Sequence, residues 1–172
     1  MTALKLPRRA KEFALIGDVD DWEEDLVKGL IEVPPESECV FYIDSAGGSV
    51  YGAVSVVCLM RLRRLKTWAV VLGECSSATL LVFGAAQRRF VTPYSTLLFH
   101  RMRWESEKRI DANEARQWSS HFFQLESDLN SFQARLFGGN EELVQQWTLE
   151  SRFVTGKEVA DAGMAELIAF DR

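Results

Sequence analysis

Apolar residues fall along the chain in short blocks, and the blocks alternate between two kinds. Glu12-Phe-Ala-Leu-Ile16 is brief and stops at Gly17, which predicts a strand. Asp18-Val-Asp-Asp-Trp-Glu-Glu24 follows, with carboxylates where the positive end of a helix attracts them. A helix is therefore expected to about Glu32, before Pro34-Pro35 breaks it. Cys39-Val-Phe-Tyr-Ile43 predicts a second, buried strand. A helix from about Ser49 to Lys66 ends on the basic cluster Arg61, Arg63, Arg64 and Lys66, which suits its negative end. Thr67-Trp-Ala-Val-Val-Leu72 reads as another buried strand, and Thr79-Leu-Leu-Val-Phe-Gly-Ala-Ala86 as the start of a buried helix. Arg89-Phe-Val-Thr92 and Ser95-Thr-Leu-Leu-Phe99 predict two short strands with Pro93 between them.

The second half changes character. Trp104 to Arg109 is charged and predicts a loop. Asp111-Ala-Asn-Glu114 has the form of a capping box. Behind it Ala115, Trp118, Phe122, Leu125, Leu129, Phe132 and Leu136 recur at alternating steps of 3 and 4, a stripe along one long helix over 111–137 that Gly138-Gly139 ends. Such a stripe fits a helix packed on its own domain or a projecting helix that pairs with another subunit. Phe123 and Phe137, off the stripe, suggest a second buried face and favour the subunit contact. His121 reads as a packing or surface residue of this helix. A short helix from Asn140 to about Thr148 follows. Thr155-Gly-Lys-Glu158 opens another that Gly163 ends, and Met164-Ala-Glu-Leu-Ile-Ala-Phe170 predicts a final strand. Strands and helices alternate, so the expected class is α/β with a largely parallel sheet. No repeat or linker divides residues 1–172, which read as a single domain.

Composition narrows the picture only a little. Of 172 residues, 47% are apolar and 26% charged, as in an ordinary globular protein with room for a core. The net charge of −5 argues against nucleic acid and anionic membrane as partners. Cys39, Cys58 and Cys75 are odd in number and sit in apolar runs, which suits reduced thiols and a cytoplasmic location better than a disulfide frame. No cysteine–histidine spacing resembles a metal site, and neither metal nor cofactor is expected. Met1 to Lys11 is basic, but no signal-type apolar region follows, and no run reaches transmembrane length.

Three stretches carry candidate chemistry. Gly73-Glu-Cys-Ser-Ser-Ala-Thr79 lies where a strand gives way to a helix. A serine there is exposed by the turn, and free N–H groups of the helix's first turn can hold developing negative charge. The plainer account is that Ser76 and Ser77 cap the helix. Asp44-Ser-Ala-Gly-Gly-Ser-Val-Tyr-Gly52 places paired glycines between strand and helix. It lacks the Walker lysine and the GxGxxG spacing of phosphate loops, leaving an oxyanion-binding loop or a tight turn. His100 stands at a strand end, either as a structural imidazole or as a base. A serine nucleophile needs such a base and such donors, and one edge of an α/β sheet can gather all of them.

These motifs, with Arg89-Phe-Val-Thr-Pro93, Leu98-Phe-His100 and Arg152-Phe-Val-Thr-Gly-Lys-Glu-Val-Ala-Asp-Ala-Gly163, resemble in order the proteolytic subunit of the Clp protease. The resemblance covers nearly the whole chain from Phe13. It implies the ClpP/crotonase fold, a spiral of β-β-α units with a protruding helical handle, here the helix over 111–137. It implies seven-membered rings, stacked face to face around a chamber, an ATP-driven (AAA+) unfoldase partner, unfolded polypeptide as substrate and a place in protein quality control. Residue by residue, it makes Ser77 the nucleophile, His100 its base, and the backbone N–H groups of Gly48 and Ala78 the oxyanion hole.

The chain departs from the family pattern in places that matter. Counted back from Arg152-Phe153, the family's triad aspartate falls at Trp147, which cannot support an imidazolium. Glu150 and Asp44 are the candidate substitute acids. Gln146 replaces an arginine that the family uses between rings. Ala78-Thr79 replaces Met-Gly and alters the pocket wall. Trp104-Glu-Ser-Glu-Lys-Arg109 replaces the glycine-rich strand that pairs with peptide. The late start leaves little for axial loops. The expected function is a serine endopeptidase acting through an acyl-enzyme. The alternatives are a catalytically silent ring subunit and, on the related crotonase fold, an acyl-CoA enzyme.

Overall fold

A computed structural model describes residues 4–105 and 109–168. The strands are β1 (Lys11–Asp18), β2 (Glu38–Gly47), β3 (Lys66–Ser76), β4 (Arg88–Val91), β5 (Thr96–Phe99), β6 (Arg152–Thr155) and β7 (Glu166–Leu167). The helices are α1 (Val19–Glu32), α2 (Val50–Leu62), α3 (Thr79–Ala85), α4 (Ala112–Leu136), α5 (Glu141–Glu150) and α6 (Gly156–Asp161). The final strand is shorter than its apolar run. Its expected extension to Phe170 lies outside the described residues, as do residues 106–108 of the expected charged loop.

The sheet runs β1-β2-β3-β4-β7 with every pairing parallel. The expected α/β class with a largely parallel sheet is what forms. β3 forks on its far side: Trp68–Val71 pairs with β4, and further along Glu74–Ser76 pairs with β5. β5 then takes β6 antiparallel, Phe99 facing Arg152. Register shifts interrupt β1–β2 between Ile16 and Asp18, and β2–β3 between Ile43 and Ser45. They loosen the sheet at the end where the glycine loop and the Ser76–Ser77 turn emerge.

Apolar alternation fills the core as the strand period requires. Phe41, Ile43, Val71, Phe83, Phe99 and Phe137 are buried together between sheet and helices. The caps form where acidic and hydroxyl side chains announce them. Asp18 with Asp21, Asp111 with Glu114, and Thr155 with Glu158 each make a reciprocal capping box.

The long helix behaves differently at its two ends. Ala134 is its one buried residue, and Phe137 just beyond packs between Phe83 and Phe99. Phe123 is 72% exposed. Of the two off-stripe aromatics, Phe137 therefore serves this chain's own core, and only Phe123 is left uncovered. No helix among the described residues is long and apolar enough to cross a membrane.

Candidate active site

Ser77 occupies a turn between β3 and α3 with φ +56°, a conformation non-glycine residues avoid. Two backbone hydrogen bonds hold it: its N–H donates to Leu98 O at 3.0 Å, and Leu80 N–H donates to Ser77 O at 3.1 Å. The first of these ties the turn to the strand that ends at His100. Neither serine caps α3. Its cap position is Ala78, which has no side chain to offer, and Ser76 Oγ donates to Glu74 Oε1 at 2.6 Å. Among the described residues, the Ser77 hydroxyl and the Ala78 N–H have no hydrogen-bond partner.

The glycine loop lies directly on this serine. A Cβ on Gly47 would stand 2.6 Å from Ser77 Cβ and 3.2 Å from Ser77 Oγ, and its φ is +108°. Only glycine permits that approach. Gly48, at φ +128°, is hemmed in on its other side, since a Cβ would meet Asp18 Oδ1 at 1.8 Å. Ser45 anchors the loop: its Oγ accepts from Gly47 N–H at 3.3 Å and shares a 2.9 Å hydrogen bond with Thr79 Oγ1. Thr79 is thus fully buried beneath the loop. Of the Ala78-Thr79 pair, Ala78 alone forms cleft wall.

His100 follows β5, half-buried, and lines the same cleft as Ser77 and Ala78. Its Nδ1 lies 2.6 Å from Arg101 O. A carbonyl can only accept, so Nδ1 carries the proton and Nε2 keeps its lone pair. No hydrogen bond joins Ser77 Oγ to the imidazole among the described residues. The cleft is small, about 40 Å³. That is room for a water or two and not for a residue side chain. Its far wall is α4, through Glu126, Leu129, Asn130 and Gln133.

The acid is where expectation and structure part. Trp147, expected behind the imidazole, is buried in the core with its ring 5.3 Å from that of Phe99. Successive strand residues point to opposite faces, so the side chain that Trp147 supports is Phe99, turned inward, and not His100. The β5–β6 pairing ends at Phe99 with Arg152. Ser151 and His100 are the next residues beyond that last pair, and Ser151 ends α5 with φ +53°. The candidate substitutes lie elsewhere. Glu150 is exposed and accepts from Gln146 Nε2 at 2.8 Å. Asp44 is exposed and accepts from Glu74 N–H at 2.9 Å. No carboxylate is bonded to His100 among the described residues.

One carboxylate does reach the cleft, and no sequence motif marks it. Glu126 of α4 takes Arg101 in a two-pronged ion pair, Nε to Oε1 at 3.0 Å and Nη2 to Oε2 at 2.9 Å. The Arg101 hydrogen bond holds the Glu126 carboxyl below its usual range, against the opposing effect of burial. The helical stripe points to Leu125 and Leu129, and Glu126 between them reads as ordinary surface charge. Cys75, fully buried behind the turn, has its thiol pushed well up by desolvation and offers no rival nucleophile.

Beyond His100, residues 101–105 form no strand. Trp104 instead lies against Trp118 and Phe122 of α4, each ring pair 5.0 Å apart. Trp104, which opens the segment expected to stand where the family pairs with peptide, is thus packed on the long helix.

A protein-family model described as Clp protease matches residues 15–172. That span contains the parallel sheet apart from the first half of β1, the serine turn, the glycine loop and the long helix, and it accords with the ClpP fold expected from the motifs. A serine at a strained strand-to-helix turn, an imidazole across the same cleft and a match over nearly the full length lead to one conclusion: the chain belongs to the Clp protease family.

Proposed function

We propose that the protein is a serine endopeptidase that cleaves unfolded polypeptides through an acyl-enzyme, as a subunit of a ring. Peptidase chemistry belongs to the family; the roles of particular residues here are inferred. Ser77 Oγ attacks the scissile carbonyl while His100 Nε2 takes its proton. The N–H groups of Gly48 and Ala78 hold the oxyanion. His100 then returns the proton to the departing amine, and water releases the acyl group by the reverse relay. The observation that carries this reading is the committed tautomer of His100 in a cleft shared with Ser77. The Arg101 carbonyl does what a triad acid does for orientation. Being neutral, it stabilises the imidazolium less. Loss of the acid alone costs about 10⁴ in turnover in a serine protease, so slow turnover is expected.

A catalytically silent ring subunit is the second reading. The narrow cleft and the missing contact between Ser77 and His100 favour it. Rings of seven, stacked or single, and an ATP-driven unfoldase partner extend from the family resemblance. An acyl-CoA enzyme lacks support, since among the described residues the carboxylate lining the cleft is Glu126, which Arg101 occupies. The test is hydrolysis of an unfolded protein by the purified chain and by its Ser77→Ala variant. Cleavage that the substitution abolishes supports the peptidase. Equal, zero cleavage by both, with or without an unfoldase, supports the silent subunit.

A further inference from the structure

The one charged group that α4 presents to the cleft is not explained by the relay. Arg101 supplies the carbonyl that takes the His100 Nδ1 proton, and the same residue's guanidinium is gripped from two sides by Glu126. The Met102 amide adds to what lowers this carboxyl. Both carboxylate oxygens hold the side chain of residue 101. That restrains the residue whose carbonyl oxygen orients the imidazole. Its side chain is 14% exposed, so the ion pair is partly sheltered from solvent on the carboxylate side. Such two-pronged pairs set geometry as well as contributing energy.

We propose that Glu126 is a positioning residue for His100: by clamping the Arg101 side chain it sets the Arg101 carbonyl that keeps the imidazole proton on Nδ1 and the lone pair on Nε2. The long helix is thereby part of the catalytic device. This rests on His100 being the base in the function proposed above, but the tautomer can be read without any turnover. Leu129, Asn130 and Gln133 close the same wall from the same helix, so a shift of α4 moves wall and imidazole together.

The experiment is nitrogen-15 NMR of histidine-labelled protein at about pH 8, above the ordinary imidazole range. His121→Gln assigns the signals, since the chain has 2 histidines. In the wild type, Nδ1 of His100 should give the protonated-type signal and Nε2 the unprotonated type. Glu126→Gln keeps the shape and removes the charge, and it should produce a tautomer mixture. The rate of fluorophosphonate reaction at Ser77 should fall by about 10²-fold, the scale of a slight misplacement of a reacting group. Arg101→Gln keeps the carbonyl, breaks the same clamp and should do the same, which covers the case of a misfolded Glu126→Gln. The swapped pair Arg101→Glu with Glu126→Arg should restore most of the wild-type spectrum. A folded Glu126→Gln protein with an unchanged His100 spectrum overturns the proposal. If the spectrum shifts as expected while the wild type never reacts with the probe, the positioning role stands and the peptidase reading falls.

Discussion

Ser77 is held where only its surroundings can keep it. A non-glycine residue at φ +56° carries strain of about 1 kcal/mol or more, and the bonds to Leu98 and Leu80 hold it there. Gly47 belongs to the same arrangement. Gly47→Ala puts a methyl onto Ser77 at a φ of +108° and should destabilise the fold by about 1–3 kcal/mol in urea unfolding, with loss of any serine reactivity. Ser151 offers the reverse experiment. Like His100, it lies one residue beyond the last β5–β6 pair, and an aspartate tolerates its left-handed backbone. Ser151→Asp should therefore raise the rate of fluorophosphonate reaction at Ser77 about tenfold or more, toward the roughly 10⁴ that a triad acid contributes. An unchanged rate would mean that residue 151 does not reach the imidazole.

At the scale of elements, α4 is tied to β5 through charge. Because Arg101 lowers the Glu126 carboxyl, the folded state binds that proton more weakly than the unfolded chain. The stabilisation is fully present above the ordinary carboxylate range and is lost as pH falls through the lowered folded value. Melting temperature followed from pH 7 to about pH 3 should fall less steeply in Glu126→Gln than in the wild type. Most elements could be read in advance because each depends on local chemistry: caps at Asp18, Asp111 and Thr155, and breakers at Pro34 and Gly138. The acid position could not. Trp147 turns its ring into the core against Phe99, a packing between α5 and β5 that no local spacing records. Glu126 was hidden for a related reason. Its partner lies 25 residues back at a strand end, and no local spacing records that pairing. Gly47 and Gly48 were equally visible as a pair, but which one touches Ser77 depends on φ values that sequence does not carry.

For the molecule as a whole, the uncovered part of α4 is the outstanding feature. Its C-terminal third packs on the core, while nearer its start Phe123 stands open and Trp118 is only partly covered, by Trp104. In the proposed ring assembly that part meets another subunit. Phe123→Glu should shift the protein toward smaller species in light scattering, with the circular dichroism of the folded chain retained. A wild-type monomer at micromolar concentration would contradict the assembly. Coupling between Glu126 and His100 gives such contacts a physical route to the cleft, since whatever seats α4 also seats the imidazole.

The account stands on Ser77 being a serine that His100 activates. The most direct measurement is peptide-mapped mass spectrometry after treatment with a fluorophosphonate probe, at several pH values from about 6 to 9 to span imidazole titration. The predicted result is a single adduct on Ser77, slowed strongly in His100→Ala and absent in Ser77→Ala. No adduct at any pH, or one on another serine that survives Ser77→Ala, would contradict it.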